Sequence, residues 1–183
     1  MTLYAERNEE ERTKFKQAIA HLQLAEIVYI DECGLQESLN REYARSSIGE
    51  RVFTDISGKR EARTSIIAGL NCSEAIAPMY FEGYCNTDVV TVWFKDSLLA
   101  ELKPGQTVIW DNASFHQAKL FEELLESVGC KLIYLPPYSP DLNPIEKFWA
   151  KLKAWIRRLR KTGVSLKDSL ILVFQEMSQK LSN

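Results

Sequence analysis

TVIWDNASFHQAKLFEELLESVGCKLIYLPPYSPDLNPIEKFWAKLK, residues 107–153, decides the fold. It opens on a short apolar run, TVIW at 107–110, that stops at an acid, Asp111. Such a β-branched and aromatic run predicts a buried strand. Ala118, Phe121, Leu125 and Val128 then recur at helical spacing until Gly129 closes the stripe, which predicts a helix. KLIYL at 131–135 predicts a further strand, and the loop PPYSPDLNP follows it. Asn143 stands where an N-cap belongs, with Pro144 at the first helical position. Phe148, Trp149, Leu152, Trp155, Ile156 and Leu159 then mark one face of a helix.

Upstream, AEIVYID at 25–31 reads as another buried strand running into an acid, Asp31. TSIIAGL at 64–70 and AIAPMYF at 75–81 predict two strands joined by a turn, so the first three strands suit an antiparallel start. Between them, residues 40–63 are broken by Gly49 and by SGK at 57–59, which predicts a hairpin-like excursion. Val90, Phe94, Leu98 and Leu102 recur every four positions until Lys103-Pro104-Gly105, predicting a helix. Phe15, Ile19 and Leu22 mark a lead-in helix within residues 1–24, and Leu166, Leu170, Phe174, Met177 and Leu181 mark a last one over 165–181. The order is three strands, helix, strand, helix, strand, then two helices. It predicts an α/β domain over 25–183, a mixed sheet with helices on both faces, for which the ribonuclease H-like arrangement is the leading candidate.

The bulk numbers narrow the function. With 183 residues and 45% apolar content the chain supports one substantial core rather than two. No run approaches the roughly 20 apolar residues of a membrane helix, and the polar start MTLYAERNEEERTKF lacks a secretory signal's apolar stretch. A cytoplasmic protein without a membrane partner is expected. Cys33, Cys72, Cys85 and Cys130 stand far apart with no Cys-x-x-Cys pair, which argues against zinc ribbons and predicts lone reduced thiols in a core. The net charge of −2 carries no global sign of nucleic-acid binding. Local asymmetry does: KFWAKLKAWIRRLRK at 147–161 holds seven basic residues and no acid. Lys147, Lys151, Lys153, Arg157 and Arg158 are the candidate phosphate contacts, with a solvated helix face as the alternative and the two tryptophans in the core.

Three acids occupy comparable places in this plan. Asp31 and Asp111 follow apolar runs, and Glu146 opens a helix after a loop stiffened by Pro136, Pro137, Pro140 and Pro144. Carboxylates gathered in one cleft repel and are tolerated mainly around divalent cations, and hard oxygen donors suit Mg²⁺ or Mn²⁺. Two such ions serve phosphodiester displacement. Taken singly, each acid is more readily a cap: Asp31 and Asp111 at turns, Glu146 in an Asn-x-x-Glu box. Strand alternation puts Asp31 on the face of Tyr29, so Glu32 is expected to point away from any cleft that Asp31 faces.

VYIDECGL, VIWDNASFHQA and LPPYSPDLNPIEKFWAKLK resemble the three catalytic blocks of the Tc/mariner superfamily of DDE transposases, in its bacterial insertion-sequence branch. The 34 residues 112–145 between Asp111 and Glu146 match the spacing that this resemblance leads one to expect, and the likeness runs from about Thr13 to Arg158. It implies a ribonuclease H-like fold with Asp31, Asp111 and Glu146 as the catalytic and metal-binding triad. It also implies two Mg²⁺ ions, replaceable by Mn²⁺, and cut-and-paste transposition by DNA strand cleavage and strand transfer. Asn112 and His116 fall in the second block and are expected to orient Asp111 or touch phosphate, His116 being as readily a locally bonded helix-start residue. The implied partners are transposon-end and target DNA, a second copy in a homodimeric active complex, and a helix-turn-helix recognition region on a separate polypeptide. A ribonuclease H-like nuclease without joining activity and an inactive DNA-binding remnant are the alternatives.

Overall fold

The computed structural model describes residues 6–36, 47–49, 51, 63–111 and 118–179. Five strands form one sheet: β1 (Ile27–Gln36), β2 (Arg63–Asn71), β3 (Glu74–Glu82), β4 (Thr107–Trp110) and β5 (Lys131–Tyr134), in the order β3-β2-β1-β4-β5. β1, β2 and β3 pair antiparallel, whereas β4 joins β1 and β5 joins β4 in parallel. The helices are α1 (Glu9–Ile19), α2 (Thr87–Trp93), α3 (Leu99–Glu101), α4 (Ala118–Ser127), α5 (Ile145–Lys161) and α6 (Leu166–Gln179). The mixed sheet carries helices on both faces, as the sequence predicts.

The alternation of β1 and β4 divides the core. Val28, Ile30, Val108 and Trp110 point to one face, where Val90, Trp93, Phe94, Leu98, Phe121 and Leu125 from α2 to α4 cover them. Trp93 is fully buried, and its indole N–H donates to the Ala77 carbonyl at 2.7 Å, which removes the cost of a buried unpaired donor. On the other face, Cys33, Leu35, Ile66, Ala68 and Leu70 pack under Phe148, Trp149, Leu152 and Ile156 of α5 and Leu170 and Val173 of α6. A third cluster of Phe15, Ile27, Ile109 and Leu135 docks α1 against β1, β4 and the start of the loop after β5.

Three expectations need correction. First, β1 does not end at Asp31: it runs on to Gln36 because Glu32 to Gln36 pair with Ile67 to Arg63 of β2. The parallel ladder with β4, however, ends at Ile30↔Trp110, so Asp31 is the first residue of β1 beyond that ladder. Second, the helix predicted over 87–102 contains a π turn, Phe94–Leu98, between α2 and α3. Its wider turn keeps both Phe94 and Leu98 fully buried. Third, the thiols differ: Cys33 and Cys130 are buried, but Cys72 is exposed in the β2–β3 turn. The excursion expected at 40–63 lies almost entirely outside the described residues.

Candidate functional site

Asp31, Asp111 and Glu146 line one cavity of about 440 Å³, together with Leu135, Pro136, Pro137, Tyr138, Ser139, Pro140 and Asn143. The fold explains why. Since the β1–β4 ladder stops at Ile30 and Trp110, Asp31 and Asp111 are the residues that directly follow it on the two adjacent parallel segments, Asp31 still paired with β2 and Asp111 just past the end of β4. Trp110 anchors its neighbour: its ring meets Phe121 edge-on at 5.1 Å and Phe94 at 5.4 Å, deep in the α2–α4 core. Glu146 arrives from the first turn of α5.

α5 begins at Ile145, one residue later than the sequence suggests. The Asn143 side chain accepts from the Ile145 backbone N–H at 3.4 Å, and the Asn143 carbonyl from that of Glu146 at 3.2 Å. The helix start is therefore capped by Asn143, and the Glu146 carboxyl is exposed on the cavity wall.

The loop between β5 and α5 is secured at both ends. The Leu135 N–H donates to the Trp110 carbonyl at 2.8 Å, continuing the β4–β5 ladder by one rung. Further on, a single 3₁₀ turn, Pro140–Leu142, presents Asp141 to Arg12 of α1. The guanidinium donates through both terminal nitrogens, 2.9 and 2.7 Å, in a fork that holds the carboxylate bidentately. The Arg12 side chain is 7% exposed and Asp141 20%.

Asp31 is electrostatically stressed. Burial first, then the neighbouring charges of Glu146 and Glu32, push its carboxyl up to about 7, against hydrogen bonds from the Glu32 backbone and the Trp149 side chain. The indole N–H of Trp149 donates to Asp31 Oδ2 at 3.0 Å. Trp149 was expected only as core. It is core, at 2% exposure, yet it also orients an acid, because it lies three residues after Glu146 on the same side of α5. Glu32 does not line the cavity, in keeping with strand alternation, but burial and the charge of Asp111 raise its carboxyl. A fourth acid thus stands behind the first three.

Of the five basic candidates, Lys147, Lys151 and Arg158 are exposed, while Lys153 and Arg157 are half-buried, all on α5 downstream of Glu146. Lys153 lies beside the Cys33 thiol, opposing the upward push that burial gives it. Asn112 and His116 lie outside the described residues.

The donor set suits a hard divalent cation. Oxygen ligands line one wall each of a shared cavity, and the Asp31–Glu146 repulsion is what a cation between them would relieve. The ring is open, however: no group of three or more His, Cys, Asp or Glu among the described residues is tight enough to hold an ion as it stands.

Several solved structures share this fold. The Mos1 transposase paired-end complex with left transposon end matches at TM-score 0.65 and 18% identity, over 84% of this chain and 51% of that chain. The Mos1 strand transfer complex matches at 0.64 and 19%, over 83% and 50%. The catalytic domain of Mos1 mariner transposase matches at 0.52 and 15%, over 84% and 74%. This chain spans about half the length of the transposase chains in the two complexes, and the likeness establishes the ribonuclease H-like fold. No curated protein matches. No helix among the described residues is long and apolar enough to cross a membrane. A family model described as DDE superfamily endonuclease matches residues 26–167, a span that contains all three cavity acids, and the chain belongs to that family.

Proposed function

We propose that this chain is a Tc/mariner-type transposase catalytic domain that cuts DNA at a transposon end and joins the freed 3′-hydroxyl to target DNA. The observation that carries the reading is the convergence of Asp31, Asp111 and Glu146 on one cavity within the DDE-matched span. Asp31, Asp111 and Glu146 would hold two divalent ions, Mg²⁺ or Mn²⁺. When bound, such ions activate the attacking oxygen and stabilise the leaving one. Mos1 mariner paired-end complexes with Mg and with Mn are among the structures this chain resembles.

The chain's own residues do the rest. Trp149 fixes the rotamer of Asp31 through its indole hydrogen bond, so the carboxylate need not reorganise when substrate arrives. The capped start of α5 and the Arg12–Asp141 fork fix where Glu146 projects. Lys147, Lys151 and Arg158 give α5 an exposed cationic face for DNA phosphates, an attraction that weakens with salt. In the full reading, DNA is bound by a homodimeric complex during cut-and-paste movement of a bacterial insertion sequence, and Asn112 and His116 support Asp111.

Strand-transfer assays on DNA carrying a pre-cut 3′-end test this directly. Joined product that disappears in Asp111→Ala is the expected result, whereas hydrolysis with no joined product would establish a plain nuclease. Calorimetry with Mn²⁺ addresses the metal site separately: binding equal in wild type and Asp111→Ala would refute it.

A further inference from the structure

The loop from Leu135 to Asn143 places a tyrosine, Tyr138, at the second position of a Pro137–Tyr138 turn, where the backbone favours glycine. Tyr138 has φ +54°, a left-handed conformation that side chains with a Cβ adopt at a cost. Two other described non-glycine residues share the feature, and the β2–β3 hairpin accounts for both. Cys72 sits in its turn, and Ala77 at the register shift between Ile67 and Gly69. Tyr138 belongs to no ladder. Its residue is 55% exposed, so the core gains little from it, and glycine or asparagine would fill the position with less strain.

The surroundings hold that strain in place. Pro136 and Pro137 precede Tyr138, the Ser139 hydroxyl donates back to the Pro137 carbonyl at 3.1 Å, and Pro140 begins the turn that Arg12 clamps through Asp141. Ser139 is buried. A rigid mount therefore presents an aromatic ring at the wall of the cavity that Asp31, Asp111 and Glu146 share. Strained residues so over-determined concentrate where a ligand is gripped.

The geometry points to Tyr138 as a stacking platform for the nucleobase next to the cut phosphate, holding that base unpaired while the phosphate lies among the carboxylates. This rests on the DNA-cutting reading of the cavity. The chemistry selects a base: acids and their cations take the phosphate, while a tyrosine ring flanked by prolines offers a flat apolar face. Aromatic stacking accepts any base, so the contact grips the strand end without reading its sequence.

The test uses the full chain, Mg²⁺ and duplex DNA with a single-stranded 3′ tail carrying 2-aminopurine beside the cut position. Wild type is expected to quench the probe, and Tyr138→Trp and Tyr138→Phe to keep the quenching. Tyr138→Ala loses it and binds the tailed DNA about 10-fold more weakly. Mn²⁺ binding in Tyr138→Ala stays at the wild-type level. Tyr138→Gly behaves like the alanine variant towards DNA yet melts at or above the wild-type temperature, because glycine suits the positive φ. Wild-type quenching and affinity in Tyr138→Ala, with cutting still abolished by Asp111→Ala, would overturn the stacking and leave the DNA-cutting reading intact. Loss of Mn²⁺ binding in Tyr138→Ala would also overturn it, since the ring would then act by shaping the carboxylate site. A wild type that neither binds nor cuts the tailed DNA overturns both.

Discussion

Asp31 enters the cavity from the middle of β1, the central strand of the sheet, whereas Glu146 enters from the first turn of α5, after a loop with a single ladder rung at its start. The first wall is held by what sheets supply everywhere: β2 pairs with β1 as far as Gln36, and Cys33 and Leu35 are buried under α5 and α6. The second is held by devices particular to one place, namely prolines, the Asn143 cap and an arginine from the other end of the chain. Their electrostatics differ as well, since Asp31 is half-buried and driven up to about 7 while Glu146 is exposed. The sheet wall tolerates electrostatic stress because its backbone cannot yield, and the loop wall sets position through these local devices.

Neutralising each acid in turn gives the sharpest contrast. Asp31→Asn and Glu146→Gln are each expected to lower metal-dependent DNA cleavage by more than about 100-fold, beyond the loss seen when only a supporting group is removed. Their effects on stability should part company. In metal-free buffer near neutral pH, Asp31→Asn raises the melting temperature by relieving burial and repulsion by Glu146, while still accepting from Trp149. Glu146→Gln relieves only the repulsion and not the burial of Asp31, so it raises the melting temperature by less. Equal thermal shifts in the two variants would erase the distinction between the walls.

Trp149→Phe probes the sheet wall more gently. The ring remains against Phe148, whose centroid lies 5.1 Å away, but the donor to Asp31 is lost. Mn²⁺ affinity measured by calorimetry is expected to fall about 10-fold or more, the usual consequence of removing a group that orients a ligand. Trp155→Phe, a comparable truncation packed against the same core, serves as the control and leaves affinity unchanged. Matching losses in both variants would mean that packing, and not the hydrogen bond, sets the rotamer of Asp31.

The two walls were also unequally legible. Hydrophobic periodicity is local, and it located every strand of the sheet and both helices on the α5 side, because each buries a stripe or an alternating face. It stopped β1 at Asp31 because the apolar run meets an acid there, although the backbone of Glu32 to Gln36 is paired by β2, which begins at Arg63. The acids themselves were legible through their flanking blocks and their spacing. What holds them was not: Trp149 reads as ordinary core until α5 is laid across β1, and Arg12 and Asp141 are 129 positions apart. Nor does a tyrosine between prolines and a serine announce a positive φ, since turn chemistry there favours glycine or asparagine.

The Arg12–Asp141 fork is the loop wall's most specific dependence, and it lies partly outside the family-matched span, which begins at residue 26. Arg12→Met keeps much of the aliphatic packing beside Phe15 while stranding Asp141. With Asp141 one-fifth exposed, the loss is expected near 1–2 kcal/mol, below that for a fully buried pair, or about 2–8 °C in melting temperature for a chain of this size. The sign of its pH dependence follows from the shift: the fork holds the Asp141 carboxyl below its usual range. Stabilisation by the fork is therefore complete above the unfolded-chain value of about 3.9 and drains away as pH falls through the lower folded-state value. Arg12, whose guanidinium Asp141 shifts further upward, adds no change in the acid range. Urea midpoints of wild type and Arg12→Met should differ at pH 6 and converge towards pH 2. A gap that persisted undiminished at pH 2 would show that Arg12 holds the loop by packing alone, leaving both walls of the cavity built from the same apolar contacts.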